Sequence, residues 1–232
     1  AEEKSEKLSG AQKAIESRLA RLEVREKPRE LPEVRLDFTL TDPPENRVVI
    51  SGKNLCLAYG DRILLEKASF EIPRGSKTAL VGPNGAGKTT LLTRIAEGAP
   101  EIQIVPKGKI GWFRQELKDC DPEKTVLETV METAVQSETV MRRMLAQLLF
   151  TREQIFQKTG TLSGGQRVKM LLARLMGSPC NLLLLDEATN YLDLESVAAV
   201  QTLVRDYPGT VLFVSHDRAF VDGCADRILK IE

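Results

Sequence analysis

Apolar and polar positions change period several times along the chain, and each change marks an element. Leu8, Ala11, Ile15, Leu19 and Leu22 fall near a heptad seam with charges between them, which predicts a helix over residues 1–27. That helix needs a partner, either as one limb of a longer helical hairpin or packed on its own domain. The chain opens on Ala1 inside this pattern, as a fragment of a longer protein would. Pro28, Pro32, Pro43 and Pro44 make residues 28–46 a linker, because proline lacks an amide donor and restricts the residue before it. From Arg47 the pattern becomes one of strands. Val48-Val49-Ile50, residues 54–58 and residues 68–72, separated by Gly60-Asp61 and Pro73-Arg74-Gly75, predict a small antiparallel sheet. Thr78-Ala79-Leu80-Val81 and residues 109–113 read as further strands. Residues 122–156 turn helical, with Val126, Leu127 and Val130, then Val140, Met141, Met144, Leu145, Leu148 and Leu149, and Thr151 and Gln154 carry the spacing of a capping box. Val168, Leu171, Leu172 and Leu175 mark an amphipathic helix. The unbroken apolar runs at residues 182–185 and 210–214 predict buried parallel strands.

Between the strand ending at Val81 and the helical residues Leu91-Leu92 lie Gly82, Pro83, Asn84, Gly85, Ala86, Gly87, Lys88, Thr89 and Thr90. This is a P-loop in its strand–loop–helix context. Glycines let backbone N–H groups close around phosphate oxygens, and the loop ends where a helix presents free donors and the positive end of its dipole. Lys88 adds a full charge at the β- and γ-phosphates, and the Thr89 hydroxyl can ligate Mg²⁺. ATP with Mg²⁺ is therefore the expected ligand pair.

Three further sites acquire meaning beside that loop. Leu162-Ser163-Gly164-Gly165-Gln166 precedes the amphipathic helix. Ser163 and Gln166 can form a capping box alone, or the hydroxyl and glycine N–H groups can receive a γ-phosphate. Asp186 and Glu187 end an apolar strand, where unpaired carboxylates would be costly, so a cation is the natural partner. Asp186 then holds Mg²⁺ and Glu187 polarises a water. His216 is the single histidine and follows the strand at residues 210–214, at the sheet end where open α/β folds place ligands. Tyr59, at the first turn, can stack on a base or serve the core.

Composition narrows the class without naming a partner. The 232 residues are 42% hydrophobic and 28% charged, as in a soluble domain with an appendage. Lys plus Arg equals Asp plus Glu at 33 each, so no net field points to nucleic acid or membrane. The longest apolar stretch is too short to span a bilayer and no signal-peptide pattern opens the chain, which predicts a cytoplasmic protein. Cys56, Cys120, Cys180 and Cys224 show no C-x-x-C pair and are expected to be reduced core thiols.

Taken in order, the motifs from Val48 onward resemble those of an ATP-binding-cassette ATPase. Tyr59 matches the A-loop aromatic, residues 82–90 Walker A, Gln115 the Q-loop, residues 162–166 the signature, Asp186 and Glu187 the end of Walker B, Leu192-Asp193 the D-loop and His216 the switch. Ala188 departs from the proline usual in the family after the catalytic glutamate. The resemblance implies an α/β P-loop fold with a mostly parallel core sheet, a small antiparallel subdomain and an inserted helical subdomain near residues 116–160, all within residues 47–232. It implies that Gln115 joins Thr89 and Asp186 at Mg²⁺ and joins Glu187 and His216 in catalysis. It also implies a second cassette, in the same full-length chain or a homodimer, because in the family the signature of one cassette covers the ATP of the other. The string from Asp186 to Asp193, the short span from Lys88 to Gln115 and the heptad helix are most similar to the second cassette of ABC-F proteins. That likeness implies a ribosomal partner, with rRNA and tRNA near the helical arm, and a role in translation or antibiotic protection. A transporter's nucleotide-binding subunit is the alternative, and a chromosome or repair ATPase a third.

Overall fold

A computed structural model of the chain describes residues 38–59, 62–114 and 120–231. The helix expected over residues 1–27, the first part of the linker, Gln115 and the side chain of Tyr59 lie outside the described residues. Those that are described belong to one compact unit, Val34–Glu232.

Two sheets carry the unit. β1 (Val48–Tyr59) and β2 (Arg62–Pro73) pair antiparallel, with β4 (Ile102–Ile104) on the other edge of β1. The sequence pattern predicted a break between Ile50 and Asn54. Instead β1 continues, and the misfit is absorbed by irregular register between Gly52 and Leu55, with Asn54 at φ 52°. The second sheet is parallel throughout: β5 (Ile110–Phe113), β6 (Leu182–Asp186), β7 (Thr210–Val214), β3 (Lys77–Val81) and β8 (Arg227–Lys230), in that spatial order. β4 and β8 were not legible in the pattern. One is three residues long, and the other is an edge strand with mostly exposed side chains.

Alternation along the central strands divides the core in two. Leu183 and Leu185 of β6 and Phe213 of β7 face one cluster, with the buried residues of α2 (Val126–Met131), α3 (Glu138–Gln147), α4 (Gly164–Gly177), α5 (Leu194–Asp206) and α6 (Arg218–Cys224). Leu182, Leu184, Leu212 and Val214 face the other, with α1 (Lys88–Ala96) and the antiparallel sheet. Parallel strands buried on both faces require such unbroken apolar runs. The helical segment expected after residue 122 is present as α2, α3 and the short 3₁₀ turns Gln154–Phe156 and Thr159–Thr161. Thr151 and Gln154 bond reciprocally, as their spacing predicted, but cap a 3₁₀ turn.

The cysteines depart from their expected setting. All four are free, and Cys180 and Cys224 are buried, but Cys120 is half-buried and Cys56 is exposed on β1. An alternating strand turns successive side chains to opposite faces, so Cys56 points away from the core that Leu55 and Leu57 fill.

Candidate functional site

The parallel sheet brings the ends of β3, β6 and β7 together, because β7 lies between the other two. The phosphate loop leaves β3 and turns into α1. Gly87, the N-cap of α1, has φ 97°, a left-handed conformation that side chains resist. Gly82 is needed for a different reason: a Cβ there would lie 2.5 Å from the Ile231 carbonyl oxygen. Lys88 is buried at the start of α1, and its ammonium donates to the Gly82 and Pro83 carbonyls at 2.9 Å each. Those bonds hold the cation over the loop that the sequence reads as a phosphate cradle.

Across an open cleft of about 660 Å³ stand Glu187 and His216, facing Leu64, Asn84, Gly85, Gly87, Lys88, Thr89 and Thr90. Gly82, Pro83 and Ala86 shape the loop without lining the cleft. Leu64, on β2, does line it, and nothing in the sequence marked that residue. Glu187 has φ 51°, and its N–H donates to the Val214 carbonyl at 3.1 Å. A left-handed non-glycine residue at a strand end stores about 1–3 kcal/mol and re-aims the side chain. Asn190 Nδ2 donates to Glu187 Oε2 at 2.7 Å, and His216 Nε2 lies 3.0 Å from Oε1. A histidine ring N–H at Nε2 can donate to that oxygen. Thr189 and Ser215 hydroxyls meet at 3.2 Å and tie the same two loops. Asn190 lay inside the string read from the sequence but was given no role there. Its place three residues after Glu187 was the available signal.

Asp186 is 8% exposed, and its Oδ1 has no hydrogen-bond partner. Burial pushes its carboxyl above the ordinary range, while the Thr89 hydroxyl beside it pulls the other way. An orphaned buried carboxylate oxygen next to a hydroxyl fits a hard divalent cation.

Ser163, Gly164, Gly165 and Gln166 do not line this cleft. Both halves of the expected capping box are made, with Gln166 N–H donating to Ser163 Oγ at 3.2 Å and Ser163 N–H to Gln166 Oε1 at 3.0 Å. Gly165 packs so closely under the Tyr191 carbonyl that a Cβ would lie 2.9 Å from it. Asp193 caps α5 by accepting from Ser196 N–H at 2.8 Å, whereas Tyr191 and Leu194 on either side are exposed.

A family model described as ABC transporter matches residues 65–190, over half of the chain. The chain belongs to the ABC transporter family. It is 36% identical over 215 residues to the erythromycin resistance ATP-binding protein MsrA of Staphylococcus epidermidis, covering 93% of this chain and 44% of that protein. It is 33% identical over 242 residues to ABC transporter F family member 2 of Arabidopsis thaliana, covering 98% of this chain and 34% of that one. The chain thus spans less than half the length of these relatives. Among solved structures, the RNase-L inhibitor matches with a TM-score of 0.68 and 27% identity, over 88% of this chain and 39% of that one. The ABC cassette fold expected from the motifs is the observed one, and F-type relatives accord with the ABC-F likeness. Among the described residues, no helix is long and apolar enough to cross a membrane.

Proposed function

We propose that this cassette binds ATP with Mg²⁺, hydrolyses it when paired with a second cassette, and uses the resulting closure to act on the ribosome in the cytoplasm. The observation that carries the chemistry is the placement of Glu187 across the cleft from Lys88, with its two carboxylate oxygens already oriented by Asn190 and His216. Loop amides and Lys88 bind the polyphosphate, and the ammonium exchanges loop carbonyls for phosphate oxygens. Thr89 and Asp186 would hold Mg²⁺, which supplies neutralisation of the β- and γ-oxygens. Each Glu187 oxygen retains a lone pair beyond its present bond, so the carboxylate can accept a proton from a water attacking the γ-phosphorus as the bond to the ADP oxygen breaks.

Pairing is supported by the position of the signature outside the cleft of its own chain. The ribosomal part is supported by the F-family relatives, the relative whose name records erythromycin resistance, and the heptad pattern of residues 1–27. Glu187→Gln in the full-length protein tests both. The variant is expected to bind ATP normally, to lose turnover by about 10²–10⁴-fold and to co-sediment with ribosomes in ATP. Native turnover removes Glu187 from the chemistry. Co-purification with a membrane protein, and none with ribosomes, replaces the ribosomal role with that of a transporter subunit.

A further inference from the structure

The segment joining α2 to α3 is fastened to the C-terminal half of α4. Arg174 Nη2 donates to Glu132 Oε2 at 2.9 Å, and Val135 N–H donates to the Gly177 carbonyl at 2.9 Å. The helices approach so closely that a Cβ on Gly177 would lie 2.5 Å from Met141 Sδ. On the same segment sits Gln136, 8% exposed, whose amide pairs with one residue far away in sequence. Thr39 N–H donates to Gln136 Oε1 at 3.3 Å, and Gln136 Nε2 donates to the Thr39 carbonyl at 2.7 Å. The side chain thus imitates a strand partner for a segment that has none.

Residues 38–44 are held on either side of this pair. The Phe38 ring meets Tyr207 edge-on at 5.7 Å, and the Tyr207 hydroxyl donates to the Cys180 carbonyl, just beyond the end of α4, at 2.9 Å. Further on, Asp42 pairs with Lys107 at 2.9 Å and the Pro44 carbonyl accepts from Arg74 Nη1 at 3.1 Å. The chain entering the cassette is therefore a strap from the helical layer to the antiparallel sheet.

We infer that Gln136 is a positioning residue: by clamping Thr39 to the α2–α3 segment it sets the orientation of α4 and so the placement of Ser163 and Gln166 at the other end of that helix. The inference rests on the proposal that this end faces the phosphate of a paired cassette. Leverage explains why a remote amide matters. Fourteen helical residues span about 21 Å, so a tilt of about 3° about the anchored end moves the tip by about 1 Å. Misplacement on that scale lowers rates by up to roughly a hundredfold.

The test is a double-mutant cycle on the full-length protein, measuring kcat and, separately, nucleotide Kd. Gln136→Ala is expected to lower kcat roughly tenfold and leave Kd for ATP unchanged, since the phosphate loop is not touched. Gln136→Glu, which keeps an acceptor for the Thr39 N–H but loses the donor to the Thr39 carbonyl, is expected to act in the same direction and decides the matter if Gln136→Ala does not fold. Ser163→Ala should lower kcat by itself, and Gln136→Ala/Ser163→Ala should fall no further, because both changes act through one contact. A Gln136→Ala kcat within twofold of native, or losses that multiply fully in the double variant, overturns the inference. Native kcat in Ser163→Ala refutes the phosphate-facing role of the helix itself, a separate failure.

Discussion

Asn190 holds Glu187 by a 2.7 Å hydrogen bond from its amide to Oε2, in a loop where Glu187 itself has a left-handed backbone. The strain and the hydrogen bond act together: one turns the carboxylate out of the sheet, the other stops it rotating. Asn190→Ala is expected to lower kcat by roughly ten- to a hundredfold while ATP Kd stays unchanged. Asn190→Asp should be worse, since it places a like charge against Glu187. Steady-state ATPase assays paired with equilibrium nucleotide binding check both, and equal activity in all three proteins would remove the positioning role.

Lys88 is held against its own loop by two carbonyls. Lys88→Ala is expected to weaken ATP binding by roughly tenfold to a hundredfold, because charge-assisted hydrogen bonds contribute about 1.5–3 kcal/mol. Titration with a fluorescent ATP analogue measures it.

Gly87 combines a left-handed φ of 97° with a hypothetical Cβ 3.1 Å from Leu64 Cδ1. Gly87→Ala should cost about 1–3 kcal/mol in strain and displace the first turn of α1. Reduced nucleotide affinity together with a lower urea midpoint is the expected result.

Burial pushes the Cys224 thiol from 9.0 up to about 12, and raises Cys180 as well. The unfolded chain then loses these protons before the folded one does. Their contribution to stability is complete below about pH 9 and is lost as pH rises from there toward the folded value. Urea denaturation at about pH 7 and about pH 10 should show the loss, and Cys224→Ala should flatten the slope. In native protein, alkylation followed by mass spectrometry should modify the exposed Cys56 first and spare Cys180 and Cys224.

The phosphate loop was legible because its chemistry is local: glycines, a lysine and a threonine at fixed spacing between a strand and a helix specify a backbone shape by themselves. The reciprocal pairs of Ser163 with Gln166 and Thr151 with Gln154 belong to the same class, each closing within four residues. The unbroken leucines of β6 likewise predicted a strand covered on both faces, and the structure covers it. Three-residue β4 and exposed β8 carried too little pattern to be seen, since pairing with β1 and β3 makes them strands.

What the chain could not state locally is which distant groups meet. That β7 lies between β3 and β6, bringing His216 to Glu187 and both to the phosphate loop, depends on the order of five strands. The left-handed turn at Glu187, the orphaned oxygen of Asp186, the exposure of Cys56 and the pairing of Gln136 with Thr39 all arise from packing between elements. Sequence spacing determined that the loop glycines, Lys88 and Thr89 lie together, because those groups are neighbours along one bend. Tertiary structure alone decided the carboxylate's aim and the strap's reach, because hydrogen bonds between residues 29 or 97 positions apart exist only once sheet and helices have packed.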